Sequence, residues 1–315
     1  MVRAQQCQPA GSSAGLKATT PSERPLIPQD LSGRIQESMN QNLLELESHF
    51  SFGENWAQYA EKIDERRIEE AEKSLIRLVG RESIAGRTFL DIGCGSGLFS
   101  LAAVRLGCRR LLAVDLDPNS VQTTRKTLER YAPSDANWDC QRLSVFDLEP
   151  SKMGTFDIVY SWGVLHHTGD MYKAITKAAA MVDTRGTLAL ALYGKTPFCG
   201  MWRIEKRIYS RSPRFVQRAI EIVYRAIVSA RLALKGESLK KREETYFQQR
   251  GMDMYHDTRD WLGGYPYESI SPHEAMTYMQ KLGFEPIRSF VCPSIGLLGA
   301  GCDEYSFTKS GPQKL

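Results

Sequence analysis

From Thr88 to Tyr193 the chain alternates short apolar runs with helical stretches. The runs are Thr88–Ile92, Arg110–Asp115, Asp139–Leu143, Phe156–Ser161 and Gly186–Tyr193. Between them the spacing predicts helices near Leu98–Leu106, Pro118–Tyr131 and Tyr172–Met181. Strands that alternate with helices pair in parallel and need both sheet faces covered, so the rhythm commits the chain to an α/β fold. The first run leads straight into Gly93-Cys94-Gly95-Ser96-Gly97. Glycines let backbone turn tightly and let a ligand approach without a Cβ in the way. The helix that follows points its free N–H groups at the same place.

Acidic residues stand at the ends of the next two strands. Asp115 closes the second, 18 residues after Gly97, where a carboxylate can accept both ribose hydroxyls of a nucleoside. Leu116, next in the chain, joins it as a candidate wall. Asp147 closes Ser144-Val145-Phe146-Asp147, where an exocyclic adenine amine can donate to it and Phe146 or Val145 can flank the base. Open α/β sheets bind ligands at the carboxyl edge of their strands, which is where all three features fall. A dinucleotide cofactor calls for Gly-x-Gly-x-x-Gly; this chain has Gly-x-Gly-x-Gly, preceded by Asp91.

That spacing resembles the S-adenosylmethionine loop of class I methyltransferases. The resemblance continues in Phe156-Asp157-Ile158-Val159-Tyr160-Ser161-Trp162-Gly163-Val164-Leu165-His166-His167, which is similar to that family's fourth-strand motif. Its Val-Leu-His-His ending is similar to the quinone-pathway and related small-molecule members. Asp183-Thr184-Arg185-Gly186 resembles the turn before the fifth strand, with the usual Pro-Gly-Gly degraded. The resemblance covers about Thr88 to Tyr193. It implies a seven-stranded, doubly wound, Rossmann-like sheet with an antiparallel last strand, and S-adenosylmethionine as cofactor. It implies a cofactor site of Asp91, Gly93, Cys94, Gly95, Gly97, Asp115, Leu116, Phe146, Asp147, Ser161 and Trp162, with Asp91, Ser161 and Trp162 near the cofactor's methionine part.

Around this core we expect five segments: a disordered tail over 1–33, rich in Ser, Pro, Gln and Gly; a helical cap over 34–80; the core over 81–194; a helical insertion with a substrate loop over 195–280; and a closing strand pair over 281–315. In the cap, Ile68, Ala71, Leu75 and Leu78 form an apolar stripe at helical spacing. The aromatic cluster from His49 to Trp56 either packs the cap onto the core or forms a lid over a ligand. Net charge is +4, yet Trp202 to Arg250 holds 13 Lys and Arg against 5 Asp and Glu. A solvated face, a peripheral membrane contact and nucleic acid each fit such a segment; no RNA-binding module is recognisable, so nucleic acid is not an expected partner. Seven cysteines with no Cys-x-x-Cys pair argue against a disulfide framework or a zinc site. No apolar run is long enough to span a bilayer and no secretory signal is visible, so the expected compartment is the cytoplasm.

For the acceptor end, His167 and His166 are the first candidates, because imidazole titrates near neutrality. Adjacent residues diverge in direction, so at most one should face the site, and His167 is favoured. The stretch Asp257 to Glu268 shows no secondary-structure period and reads as a loop, with Trp261, Tyr265 and Tyr267 as pocket walls and Asp260 or Glu268 as orienting acids. The reading is a methyltransferase acting on an oxygen, nitrogen or carbon of a small or lipid-linked metabolite, with catalytic candidates His167, His166, Glu268 and Tyr265 and no metal. The alternatives are an RNA base (tRNA) modification enzyme and a non-catalytic cofactor-binding regulator.

Overall fold

Strand β1 (Thr88–Ile92) has four consecutive buried residues, Phe89 to Ile92, because helices cover both of its faces. Six more strands join it: β2 (Arg110–Asp115), β3 (Trp138–Arg142), β4 (Phe156–Trp162), β5 (Val182–Tyr193), β6 (Phe284–Phe290) and β7 (Cys302–Lys309). The computed structural model describes residues 52–250, 254–292 and 301–311. The expected tail over 1–33 and the first part of the cap lie outside the described residues.

The strands form one sheet in the order β3-β2-β1-β4-β5-β7-β6. All neighbours up to β5 run parallel, and β7 runs antiparallel to both β5 and β6. The order reverses between β1 and β4, so a crevice opens at the carboxyl ends of β1, β2 and β4. This is the seven-stranded, doubly wound sheet with an antiparallel last strand that the resemblance implied. The fifth strand starts earlier than its apolar run, at Val182 rather than Gly186. Pairing jumps from Phe156–Val182 to Ile158–Thr187, and Arg185 takes φ +63°. The degraded turn before the fifth strand thus persists as a bulge inside it.

Helices α1 (Phe52–Ala60) and α2 (Glu65–Val79) form the described part of the cap. Asp64 caps α2 by accepting from Arg67 N, and the stripe of Ile68, Ala71, Leu75 and Leu78 is buried. A fully buried Leu or Ile contributes roughly 1.5–3 kcal/mol, so this face anchors the cap to the sheet. On the same side lie α3 (Leu98–Arg105) and α4 (Pro118–Tyr131), the latter with Pro118 in its first turn behind the N-cap Asp117. A short turn, α5 (Pro150–Met153), precedes β4. The other face is covered by α6 (Met171–Ala180) and, after β5, by a later helix over Pro272–Lys281 whose Ser271 and Glu274 form a capping box.

Among the described residues, four helices separate β5 from that last one: α7 (Cys199–Arg211), α8 (Arg214–Leu234), α9 (Leu239–Arg250) and α10 (Met254–Gly263). They pack around a third core, in which Trp202 and Tyr209 of α7 and Leu262 of α10 meet Tyr193 of β5 and Tyr267. The helix over Met254–Gly263 corrects the reading of Asp257–Glu268 as a loop. Its inward face is built from His256, Leu262 and Gly263 and packs on α7. So mixed a face shows no apolar period, and the packing, not the local pattern, decides the conformation. Only Gly264 to Ser269 is loop.

Candidate active site

The glycine turn, the β2 end and the turn after β4 surround a cavity of about 250 Å³ at the carboxyl edge of the sheet. Gly93, Gly95 and Gly97 take φ of +80°, +53° and +78°. Two of them are also places where no side chain fits. A Cβ on Gly93 would lie 2.3 Å from Val164 Cγ2, and one on Gly97 would lie 2.8 Å from Thr124 Cα. The first glycine lets β1 meet the β4 turn; the last lets α3 press against α4.

Two carboxylates face this turn. Asp91 is buried, and its Oδ2 accepts a 2.5 Å hydrogen bond from Ser100 Oγ. Burial pushes its pKa up to about 7, with the Ser100 hydroxyl working against that and Asp115 adding to it. Asp115 accepts from Gly95 N at 3.1 Å through Oδ2 and from Asp117 N at 2.9 Å through Oδ1. Burial lifts it to about 6, opposed by those backbone donors. Among the described residues, no cation stands beside either carboxylate. Leu116, Leu143, Val145 and Phe146 supply an apolar wall, and Cys94 lines the floor with a thiol that burial raises well above its ordinary pKa.

The cap closes one side. Gly53 N donates to Asp117 Oδ2 at 3.0 Å while Asp117 Oδ1 accepts from Asn119 N, so one carboxylate both starts α4 and ties α1 to it. Phe52, Trp56 and Tyr59 thereby line the cavity. The aromatic cluster is both packing and wall: Trp56 and Tyr59 belong to the core beneath the cap and also face the ligand space.

At the far end stand Trp162, His167, Asp260 and Pro266. His167 Nδ1 lies 2.8 Å from Pro266 O and donates to it, which leaves Nε2 as the basic nitrogen. Burial lowers the imidazole to about 4. His167 Nε2 and Asp260 Oδ1 are buried with no hydrogen-bond partner among the described residues. Burial raises Asp260 well above the carboxylate range, Asp257 adds to that and Lys206 opposes it. Lys206 is itself fully buried on α7, donates to Trp261 O, and sits 3.6 Å from the centroid of the Trp261 ring. Gly264 passes so close that a Cβ there would lie 2.4 Å from His167 Cε1, which explains the glycine immediately before Tyr265.

Of the residues singled out in the sequence, the cavity is lined by Trp56, Asp91, Gly93, Cys94, Gly95, Asp115, Leu116, Val145, Phe146, Trp162, His167 and Asp260. Gly97, Asp147 and Ser161 are not among its lining residues. Ser161 Oγ donates to Ile92 O and so ties β4 to β1. Three catalytic candidates fall outside the lining. His166 is fully buried, its ring 3.9 Å from that of Tyr193, and it serves packing. Glu268 Oε2 accepts from Met171 N and caps α6. Tyr265 is not among the lining residues, and Trp261 and Tyr267 belong to the third core behind them. Asp117 was missed, although Asp before Pro at a helix start is a legible N-cap signal; Tyr59 and Pro266 carried no local signal at all.

Comparison with known proteins adds the family. Residues 90–190 match the model of a methyltransferase domain. These residues are a class I S-adenosylmethionine-dependent methyltransferase domain. Among similar proteins is the ubiquinone biosynthesis O-methyltransferase of Xanthomonas campestris pv. campestris (strain B100), 36% identical over 121 residues, 38% of this chain and 48% of that enzyme. A ribosomal protein L11 methyltransferase of Photobacterium profundum is 39% identical over 54 residues, 17% of this chain and 18% of that protein. The chain thus spans about half the length, or less, of these relatives. The magnesium protoporphyrin IX methyltransferase of Synechocystis PCC 6803, solved with SAH, covers 78% of this chain and 84% of its own at 16% identity and a TM-score of 0.47.

Proposed function

We propose that this chain transfers a methyl group from S-adenosylmethionine to an oxygen, nitrogen or carbon of a small or lipid-linked acceptor. The observation that carries the reading is one cavity with two chemically different ends. At the glycine turn, Asp91 and Asp115 are desolvated acceptors with no cation beside them among the described residues, and an apolar slot lies next to them. An ammonium, a ribose diol and a flat base are what such a set fits. Asp115 would take the ribose hydroxyls, Asp91 the amino-acid portion, and Leu116, Val145 and Phe146 the adenine faces. The bound cofactor supplies a methyl group made electrophilic by a sulfonium.

The protein then aligns and dries the acceptor. Phe52, Trp56 and Trp162 exclude water. His167, held by Pro266 and kept neutral by burial, offers Nε2 as a hydrogen-bond acceptor that orients a hydroxyl or amine. An imidazole at about 4 is a weak base; Asp260, which lines the same end and whose Oδ1 has no hydrogen-bond partner among the described residues, is the carboxyl placed to hold the acceptor and, when ionised, to take its proton. The test is transfer from labelled cofactor into fractionated small molecules, lipids, RNA and protein. Label in the small-molecule or lipid fraction, lost in Asp260→Asn while calorimetric cofactor binding stays, supports the reading. Label in RNA alone, or in no fraction, overturns it.

A further inference from the structure

Helix α8 is turned inside out for a helix on a protein surface. At 100° per residue, Phe215, Ala219, Ile222, Val223, Ala226, Ile227, Ala230 and Leu234 fall within one arc of roughly 140°. All of them are exposed, Phe215 at 76% and Leu234 at 90%. The opposite face, with Ile220, Glu221 and Tyr224, packs inward, and Glu221 accepts from the Tyr209 hydroxyl. A surface helix ordinarily buries its apolar arc. Here the apolar arc faces out along a helix about 30 Å long. On α7, Met201, Ile204 and Ile208 are likewise exposed.

Charge frames the arc. By the same helical geometry Arg218, Arg225 and Arg214 flank one side of it, the last two paired with Glu243 and Glu54, and Arg231 flanks the other. The sole carboxylate of α8 is the inward Glu221. On α7 the one acid, Glu205, is partly buried. We infer that this outward face of α8 docks on an anionic lipid bilayer, the apolar arc sinking among the acyl chains while Arg218 and Arg231 on its two flanks meet headgroup phosphates. A second copy of the chain fits poorly: pairing two such faces sets arginine rims together with no outward carboxylate on either helix to answer them. Among the described residues no helix is long and apolar enough to cross a membrane, so the contact is one of lying on the surface. Trp202 and Lys206 of α7 pack on Trp261, next to the cavity residue Asp260. The docking face is therefore on the insertion that backs the acceptor end. The inference goes beyond methyl transfer and stands without it.

The test is co-sedimentation of the full chain with vesicles of phosphatidylcholine, and of equimolar phosphatidylcholine and phosphatidylglycerol. Binding should need the anionic lipid and weaken with salt. Each basic side chain near such a surface is worth roughly fivefold in partitioning, so Arg218→Gln with Arg231→Gln should lower it about 25-fold. Phe215→Ser with Ile222→Ser should do the same with unchanged melting temperature, since both side chains are exposed. No binding to either vesicle, or binding that both double variants retain, overturns the inference. So does a dimer in sedimentation equilibrium that Phe215→Ser with Ile222→Ser dissociates, which would make a second copy the occupant. Salt-sensitive binding to homopolymer RNA in the absence of vesicle binding overturns it as well.

Discussion

Affinity for S-adenosylmethionine should tighten as pH rises from about 6 to about 7.5, and Asp91 should account for most of the change. In the empty fold burial holds Asp91 at about 7 and Asp115 at about 6. An ammonium against Asp91 and hydroxyls donated to Asp115 both favour the ionised carboxylate, so binding expels the protons. At pH 6 the protonated forms weaken binding by factors of about 11 and 2; at pH 7.5 both factors are close to 1. The dissociation constant should therefore fall about 15-fold over that interval. In Asp91→Asn only the Asp115 factor survives, and the change should shrink to about twofold. The asparagine variant should also bind more weakly throughout, since a hydrogen bond to a charged partner is worth about 1.5–3 kcal/mol. Stability of the empty chain should move the other way. Both acids hold their proton more tightly when folded than when unfolded. Their contribution to stability is thus greatest below the ordinary carboxylate pKa and is lost as pH rises through about 7. Calorimetry in two buffers of different ionisation enthalpy measures both the affinity and the protons released; thermal melts measure the second effect. A pH-independent affinity, or the full pH dependence retained in Asp91→Asn, would refute the assignment.

Three further outcomes follow from the packing. Gly97→Ala must push Thr124 away and adopt a positive φ, which costs about 1–3 kcal/mol for the backbone alone; a drop in melting temperature of several degrees is the readout. Asp117→Ala removes the α4 cap, worth about 0.5–2 kcal/mol, and frees Gly53 N; proteolysis near Phe52 should accelerate before global unfolding does. Trp56→Ala opens the cavity wall; it should weaken cofactor binding and reduce the fluorescence change on binding, while global stability falls by no more than a buried aromatic costs, about 3–5 kcal/mol.

Periodicity and glycine spacing alone determined the strand–helix order from Thr88 to Tyr193, the turn at the head of the cavity and the acid at the end of β2. These are local signals: a strand buried on both faces must be apolar throughout, and a turn at positive φ favours glycine. Trp202 to Arg250 could likewise be read as basic, and the insertion that holds it as helical, from the chain, but not which way α8 faces; only its packing through Ile220, Glu221 and Tyr224 on the third core turned the apolar arc outward. The acceptor end was legible only in part. Asp260 reads in sequence as one acid among several in a patternless stretch, and Glu268 looked its equal. Tertiary structure separated them, because the helix over Met254–Gly263 brings Asp260 to the cavity while Glu268 is spent on Met171 N. His166 and His167 are neighbours of one residue type; burial against Tyr193 claimed the first and the Pro266 carbonyl held the second at the wall. Long-range contacts settle such choices, since each depends on what another segment, many residues away, offers to a polar atom that has lost its water.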